Sequence, residues 1–175
     1  MSKPKKIAFC ALMIALALGL SYTERFIPLQ LVIPLPGVKL GLANVVTLVA
    51  LYRFKPRYAL GILVSRCILG ALFGGGITGL LFSLTGGLLA LLVMGLSKRV
   101  SIFSIYGVSI LGAAAHNIGQ IVAAMVLLGS VYVAAYLPWL LIMAVVTGIL
   151  TGSLGGGVLH ALSYATVSAP AEMSK

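Results

Sequence analysis

The sequence predicts an all-α polytopic membrane protein, a bundle of six transmembrane helices in one integral membrane domain over residues 1–175. Composition is the first observation: 61% of the residues are hydrophobic, 8% are charged, and the mean hydropathy is +1.19. A soluble domain carries roughly a quarter charged residues. The second observation is a series of apolar runs near the ~20 residues that a helix needs to cross a bilayer.

Basic, proline-containing and glycine-rich turns divide the apolar sequence into separate helices. The predicted spans are approximately residues 7–22, 38–52, 58–73, 77–96, 105–128 and 131–162. Three consecutive glycines at 74–76 predict a tight turn. The last run is too long for one perpendicular crossing, so we expect part of it to be interfacial, tilted or broken near "GSLGGG".

The loop after the first span, residues 23–37, contains Pro28, Pro34 and Pro36 and is unusually apolar. Proline argues against a continuous helix there. Irregular backbone cannot face lipid, because its polar groups need partners. We therefore expect this outer loop to fold over the protein as a lid on a cavity.

The net charge of +10 follows the predicted topology. Basic residues precede the first span and occupy every second loop, as the positive-inside rule requires for six spans with both termini in the cytoplasm. The expected location is a bacterial cytoplasmic membrane. Topology explains the charge, so no nucleic-acid partner is expected.

Arg66 lies near the middle of the third predicted span, where a charge costs a few kcal/mol and usually faces a cavity or a partner. Lys39 and Arg25 are two further cations on the outer side, opposed there by one acid, Glu24. The three cations predict a site for a small anion entering from outside. The alternatives are a structural Arg66 bonded to helix-end carbonyls or to Glu24, and a Lys39 and Arg25 that snorkel to lipid headgroups.

The fifth predicted span carries a polar group, His116, Asn117 and Gln120, at spacings that bring side chains to one side of a helix. Asn44 on the second span is a further polar candidate. These side chains either contact a substrate or join helices by hydrogen bonds. A metal site is not expected, and the two cysteines, Cys10 and Cys67, suggest neither a disulfide nor a metal centre.

Small residues form a strip along the first predicted span, at Ala8, Ala11, Ala15 and Gly19. Such a strip allows another helix to approach closely. The approaching helix belongs either to this protein's own bundle or to a separate subunit.

Catalysis by this chain alone is not expected. The sequence has no aspartate to hold a magnesium diphosphate, no G-x-x-x-x-G-K-[ST] loop for ATP, and no evident catalytic triad. No cofactor is expected either.

Nearly the whole chain resembles a known family. "ALMIA" in the first span, "GVKLGLANVVTLVALYRF" in the second and "SRCILGALFGG" in the third are similar to the Gx transporter family. That family is often described as heptaprenyl diphosphate synthase component I, and it is similar to the substrate-binding S components of energy-coupling factor (ECF) transporters.

The resemblance implies an S-component-like bundle that captures a small anionic or amphipathic molecule from outside, such as a vitamin, a cofactor precursor or an isoprenoid diphosphate. Ala11 and Ala15 would dock on a transmembrane coupling subunit driven by two ATPase subunits. Arg66 and Lys39 would hold the anion, and His116, Asn117, Gln120 and Asn44 would orient it. The alternative is a non-catalytic membrane subunit associated with a prenyl diphosphate synthase.

Overall fold

The computed structural model describes residues 3–26 and 39–167, and these two ranges form six α-helices and no β-strand. The helices are α1 (Lys3–Thr23), α2 (Asn44–Arg53), α3 (Pro56–Gly70), α4 (Gly76–Ser97), α5 (Ile105–Leu128) and α6 (Leu137–Val167). A 3₁₀ turn at Glu24–Phe26 follows α1, and another at Val131–Tyr136 precedes α6. The fold of the described residues is therefore all-helical, as predicted.

Four stretches of the described chain are long and apolar enough to cross a membrane: Pro4–Thr23, Pro56–Ser97, Ile105–Leu128 and Val131–Tyr164. Each is at least as long as the ~18–20 residues that a crossing requires. The α2 helix, Asn44–Arg53, is apolar but has only 10 residues. The chain is therefore a membrane protein, and six crossings remain a prediction.

A glycine turn interrupts the stretch Pro56–Ser97 and confirms the turn expected at residues 74–76. Gly74 has a φ of 97° and Gly76 a φ of 59°, a left-handed region that favours glycine. Helices α3 and α4, on either side of this turn, pack against each other. The turn therefore folds the stretch back on itself.

The start of the second helix differs from the prediction by several residues. The second helix begins at Asn44 and not near residue 38, so Lys39 precedes α2 instead of opening it. Gly41, with a φ of 80°, breaks the helical path, and a Glu24 carboxylate oxygen accepts a hydrogen bond from the Leu42 amide just before the helix starts. Helical periodicity would have placed the Leu42 amide inside the helix. Instead, the carboxylate of Glu24, which is distant in sequence, satisfies this amide.

Of the three alternatives for the last run, interfacial, tilted or broken near "GSLGGG", the break is wrong, because α6 continues through that sequence to Val167. Gly155 lies against Leu48 of α2, where a Cβ would come within 2.9 Å of the leucine side chain. Gly155 therefore allows α6 to pack closely against α2 and does not break the helix. The irregular part of the last run is the 3₁₀ turn at Val131–Tyr136.

Helix α5 lies between α4 and α6 at very short distances. A Cβ on Gly119 would lie 2.8 Å from the Cα of Gly86 in α4, and a Cβ on Gly148 in α6 would lie 2.5 Å from the Cα of Ile110. Glycine at these positions lets the backbones touch, as small residues do between membrane helices.

Basic residues from several elements gather at one end of the bundle, which we call the basic end. Lys6, Arg53, Lys55 and Arg57 border one cavity there, and Arg57, Lys98 and Arg99 border another. The segments Ser21–Glu24 and Lys39–Ala43 lie near the opposite end of the helices. Residues 27–37 of the expected lid, and the side chain of Arg25, lie outside the described part of the chain.

Candidate binding site

Polar side chains from five helices, from the 3₁₀ turn after α1 and from the segment before α2 meet inside the bundle, away from the basic end. We call this group the polar cluster. Its members are Ser21, Glu24, Lys39, Asn44, Arg66, Ser83, His116 and Gln120.

Arg66 lies on α3, about 15 Å along the helix from Pro56 at ~1.5 Å per residue. It is only 6% exposed. Its Nη1 donates to Ser21 Oγ and its Nη2 to Asn44 Oδ1, both at 3.4 Å, and its Nε has no hydrogen-bond partner among the described residues. Because 3.4 Å is beyond the usual 2.7–3.2 Å range, these are weak bonds to neutral oxygens.

Helix α4 has a glycine, Gly87, opposite Leu63 and next to the Arg66 guanidinium. A Cβ on Gly87 would lie 3.5 Å from Arg66 Nη2 and 2.6 Å from Leu63 Cδ1. A larger residue at this position would collide with the Leu63 side chain. The glycine therefore positions α4 against the charged part of α3.

Glu24 is the acidic residue among the members of the polar cluster. It is 5% exposed, and its carboxylate accepts a hydrogen bond from the Leu42 amide. Burial raises the pKa of the Glu24 carboxyl, against the opposing effects of the Leu42 amide and the charges of Arg66 and Lys39. Two cations therefore share one acid that is itself committed to a backbone amide.

Gln120 holds the backbone of Lys39 in a two-bond clamp. The Lys39 amide donates to Gln120 Oε1 at 3.0 Å, and Gln120 Nε2 donates to the Lys39 carbonyl at 2.9 Å. Gln120 is fully buried, at 0% exposure. A side-chain amide thus replaces the backbone partner that this non-helical residue lacks.

The Lys39 ammonium points toward α4, where Nζ donates to Ser83 Oγ at 3.2 Å. The Gln120 clamp fixes the backbone, and Ser83 helps to fix the side chain. Lys39 is therefore held at both ends inside the polar cluster.

His116 lies one turn before Gln120 on α5, and its Nε2 contacts Gln120 Nε2. A Cβ on Gly41 would lie 2.9 Å from His116 Cδ2, and a Cβ on Gly86 would lie 2.8 Å from Nδ1. Two glycines, one before α2 and one on α4, therefore make the space that the imidazole fills.

A cavity of about 540 Å³ adjoins the polar cluster. Ser21, which accepts the Arg66 bond, and Lys39 line it together with apolar or small residues: Leu18, Gly19, Tyr22, Gly70 and Phe73. Its volume lies within the 300–1,000 Å³ of small-molecule pockets, which are mostly apolar with a few placed polar groups. The cavity meets that description.

Asn117 lies apart from the other predicted site residues. Its Nδ2 donates to the Leu140 carbonyl of α6 at 2.6 Å, and its Oδ1 has no partner among the described residues. Asn117 therefore joins α5 to α6, whereas Arg66, Lys39, Asn44, His116 and Gln120 lie in the polar cluster.

Sequence reasoning missed Ser21, Ser83, Gly41 and Gly86 as parts of this cluster. Serine in an apolar helix often bonds its own helix backbone, as Ser97 does with the Val93 carbonyl at 2.7 Å. Nothing in the sequence distinguishes that behaviour from the cross-helix contacts of Ser21 and Ser83. The positive φ at Gly41 is a signal only once the helix start at Asn44 is known.

A family model described as heptaprenyl diphosphate synthase component I matches residues 13–158. The chain belongs to this family. Neither a curated protein nor a solved structure matches the chain.

The match to the heptaprenyl diphosphate synthase component I family covers every residue of the polar cluster. Ala15 also lies within the matched range, and Ala11 lies just before it. As a member of this family, the chain combines apolar helices of membrane-spanning length with a buried polar cluster that contains two cations.

Proposed function

We propose that this protein is the substrate-binding S component of an ECF-type uptake transporter. It crosses a bacterial cytoplasmic membrane six times, with both termini in the cytoplasm, and captures a small anionic or amphipathic molecule from outside. The basic end then faces the cytoplasm, and the polar cluster and its cavity lie toward the outer surface. The ligand class includes a vitamin, a cofactor precursor or an isoprenoid diphosphate.

One observation carries the proposal: Arg66 is buried, it makes only two weak hydrogen bonds to neutral oxygens among the described residues, and one of these bonds goes to Ser21, which lines the cavity. An intramembrane charge is costly unless a partner or a cavity compensates it. An anionic group placed near Ser21 would meet the Arg66 guanidinium and the Lys39 ammonium and form charge-assisted hydrogen bonds. The apolar cavity wall would take the rest of an amphipathic ligand.

The exposed face of α1 supports a partner subunit. Ala11 and Ala15 are exposed, whereas Met13 and Ala17 face the bundle at 5% and 0% exposure. In the most apolar 18-residue stretch of α1, only 11% of the stretch is buried in the protein. The described residues therefore leave the small-residue face uncovered, and the coupling subunit of the proposed transporter would dock there.

The test is uptake and ligand retention in cells that express the chain together with a coupling module. Native mass spectrometry of the gently purified protein identifies a co-purified small molecule, whose affinity is then measured for the wild type and for Arg66→Met. Loss of charge-assisted bonds worth ~1.5–3 kcal/mol predicts affinity weaker by roughly 10- to 150-fold. Arg53→Met, at the basic end, is the matched control and should keep uptake and affinity.

Arg66→Met also separates binding from structure. Arg66 makes only weak hydrogen bonds, and Lys39 still opposes the Glu24 charge when Arg66 is replaced, so an apolar side chain of similar length removes the desolvation cost of a buried charge. We therefore expect the ligand-free variant to unfold at or above the wild-type temperature. Unchanged uptake and affinity in Arg66→Met would remove Arg66 from the site, and a large loss of ligand-free stability would assign it a structural role.

A second candidate function is a non-catalytic membrane subunit associated with a prenyl diphosphate synthase, and the description of the family favours it. Affinity purification from native membranes distinguishes the two. Recovery of a coupling subunit and ATPase subunits supports the transporter, whereas recovery of a soluble prenyl diphosphate synthase supports the alternative.

A further inference from the structure

A second cavity, of about 630 Å³, lies at the basic end, far from the polar cluster. Its walls are the apolar faces of α3 and α4, and we call it the leucine groove. The wall residues that define it are Leu60, Leu88, Leu91, Leu92, Gly95 and Leu96. Several of these side chains are open to the surroundings, Leu92 at 58% and Leu96 at 55% exposure.

Three cations stand at the mouth of the leucine groove: Arg57, Lys98 and Arg99. Lys98 is held in position, since its Nζ donates to the Leu51 carbonyl at 2.8 Å and lies 4.6 Å from the centre of the Tyr52 ring. An ammonium has three N–H donors, and Leu51 takes one of them. The remaining donors are suited to an anion at the mouth.

The start of α3 adds to this positive field. Pro56 is the first residue of α3 and lines the same groove. A helix N-terminus carries a partial positive charge that favours anions. The chain has only two acidic residues, Glu24 and Glu172, and Glu24 lies in the polar cluster. The described part of the basic end therefore presents cations with no carboxylate among them.

Length sets the kind of ligand that fits. From Leu88 to Lys98 the groove follows α4 for about 15 Å at ~1.5 Å per residue. That is half of a hydrocarbon core of about 30 Å, the depth of one leaflet. A hydrocarbon chain in the groove would therefore place its headgroup at the level of the three cations.

We propose that the leucine groove binds an anionic phospholipid from the surrounding bilayer, with one acyl chain along α4 and the phosphate between Arg57, Lys98 and Arg99. Apolar contact and charge complementarity act together in this site. The proposal does not depend on what the polar cluster binds or on which side of the membrane the basic end faces.

The test is lipid retention in native mass spectrometry. Protein is equilibrated in mixed micelles with equal amounts of phosphatidylglycerol and phosphatidylcholine, and the bound lipids are counted. We expect the wild type to retain one phosphatidylglycerol in preference to phosphatidylcholine. Equal retention of the two lipids would overturn the proposal, because it would show that the cations do not select the headgroup.

Two pairs of variants locate the site. No atom lies within 4 Å of a Cβ built on Gly95 or on Gly79, both in α4, so each position accepts a larger side chain without a clash. Gly95→Leu extends into the groove and should abolish retention, whereas Gly79→Leu, away from the groove, should not. Equal retention in these two variants would contradict the acyl-chain position.

The headgroup contacts are tested by a charge-matched pair. Arg57→Gln with Arg99→Gln removes two charges from the groove mouth, and Arg53→Gln with Lys55→Gln removes two from elsewhere on the basic end. The first pair should weaken phosphatidylglycerol binding by roughly 30-fold, at about fivefold per basic residue. Equal weakening by both pairs would show attraction by net charge alone and would overturn the site.

Inorganic phosphate distinguishes a lipid site from a simple phosphate site. Because the acyl chain contributes to binding, millimolar phosphate should not displace the bound lipid. Displacement by phosphate at that concentration would refute the contribution of the groove.

Discussion

The Gln120 clamp makes a sharp prediction about local stability. Replacing Gln120 by leucine keeps a buried side chain of similar size but removes both hydrogen bonds to the Lys39 backbone, which measure 3.0 and 2.9 Å. A typical hydrogen bond contributes ~0.5–1.5 kcal/mol net, so two bonds predict a loss of about 1–3 kcal/mol. The loss of stability is expected first at Lys39, because its amide and carbonyl lose their hydrogen bonds to the Gln120 side chain.

The measurement is amide hydrogen exchange at Lys39, resolved to the single residue. A loss of about 1–3 kcal/mol predicts exchange of the Lys39 amide faster by roughly 5- to 150-fold in Gln120→Leu. The exchange rate of the Lys39 amide in Gln120→Glu should lie between the rates in the wild type and in Gln120→Leu. One carboxylate oxygen still accepts from the Lys39 amide, while the other faces the Lys39 carbonyl and repels it.

Asn117→Leu is the matched control, because it removes a buried amide from the same helix that bonds α6 and not Lys39. It should leave the Lys39 amide protected. A Lys39 amide that exchanges at the wild-type rate in Gln120→Leu would refute the clamp. Equal acceleration in Asn117→Leu would show that Lys39 exchanges through global unfolding.

Two further predictions concern helix faces. Gly119→Ala places a Cβ 2.8 Å from backbone atoms of α4, and overpacking of this kind typically destabilises by ~1–3 kcal/mol. Because 1 kcal/mol corresponds to about 2–4 °C for a chain of this size, the melting temperature in detergent should fall by roughly 2–12 °C. Gly79→Ala, which meets no atom within 4 Å, should be neutral or slightly stabilising, and a comparable loss there would contradict the close-contact explanation. Ala15→Trp adds a large side chain to the exposed face of α1, so it should preserve the melting temperature and abolish co-purification with the coupling subunit of the proposed transporter. Retained co-purification would remove this face from the docking surface.

The sequence was sufficient to predict the helices but not all of their ends. The α5 bounds agree with the prediction at both ends, residues 105–128, because Ser104 caps the start, accepting from the Gly107 amide, and Gly129 ends the helix with a φ of 60°. Both are local signals that sequence carries. The start of α2 depends on the contact of Glu24 with the Leu42 amide. These two residues are too far apart in sequence for a local pattern to predict their contact.

The members of the polar cluster were also only partly predictable from the sequence. Arg66, His116 and Gln120 are conspicuous because charged and strongly polar side chains are rare in apolar helices. Their partners were not, because the choice among many serines and glycines depends on how the helices are oriented. The spacing of Asn117 and Gln120 suggested one face, yet the two amides bond different neighbours: the Leu140 carbonyl and the Lys39 backbone.

The way in which Arg66 is held favours a ligand over a purely structural role. Buried polar groups in a structural network are nearly always satisfied, because an unsatisfied one costs ~1–3 kcal/mol. Arg66 instead has two long bonds and an Nε without a partner among the described residues, and Thr47 Oγ1, one turn after Asn44, also lacks one. By contrast, Gln120 and Lys39 are joined by two bonds of normal length. The cluster thus combines a firmly held frame with a guanidinium that retains bonding capacity, which is the arrangement that pre-organised recognition of an anion requires.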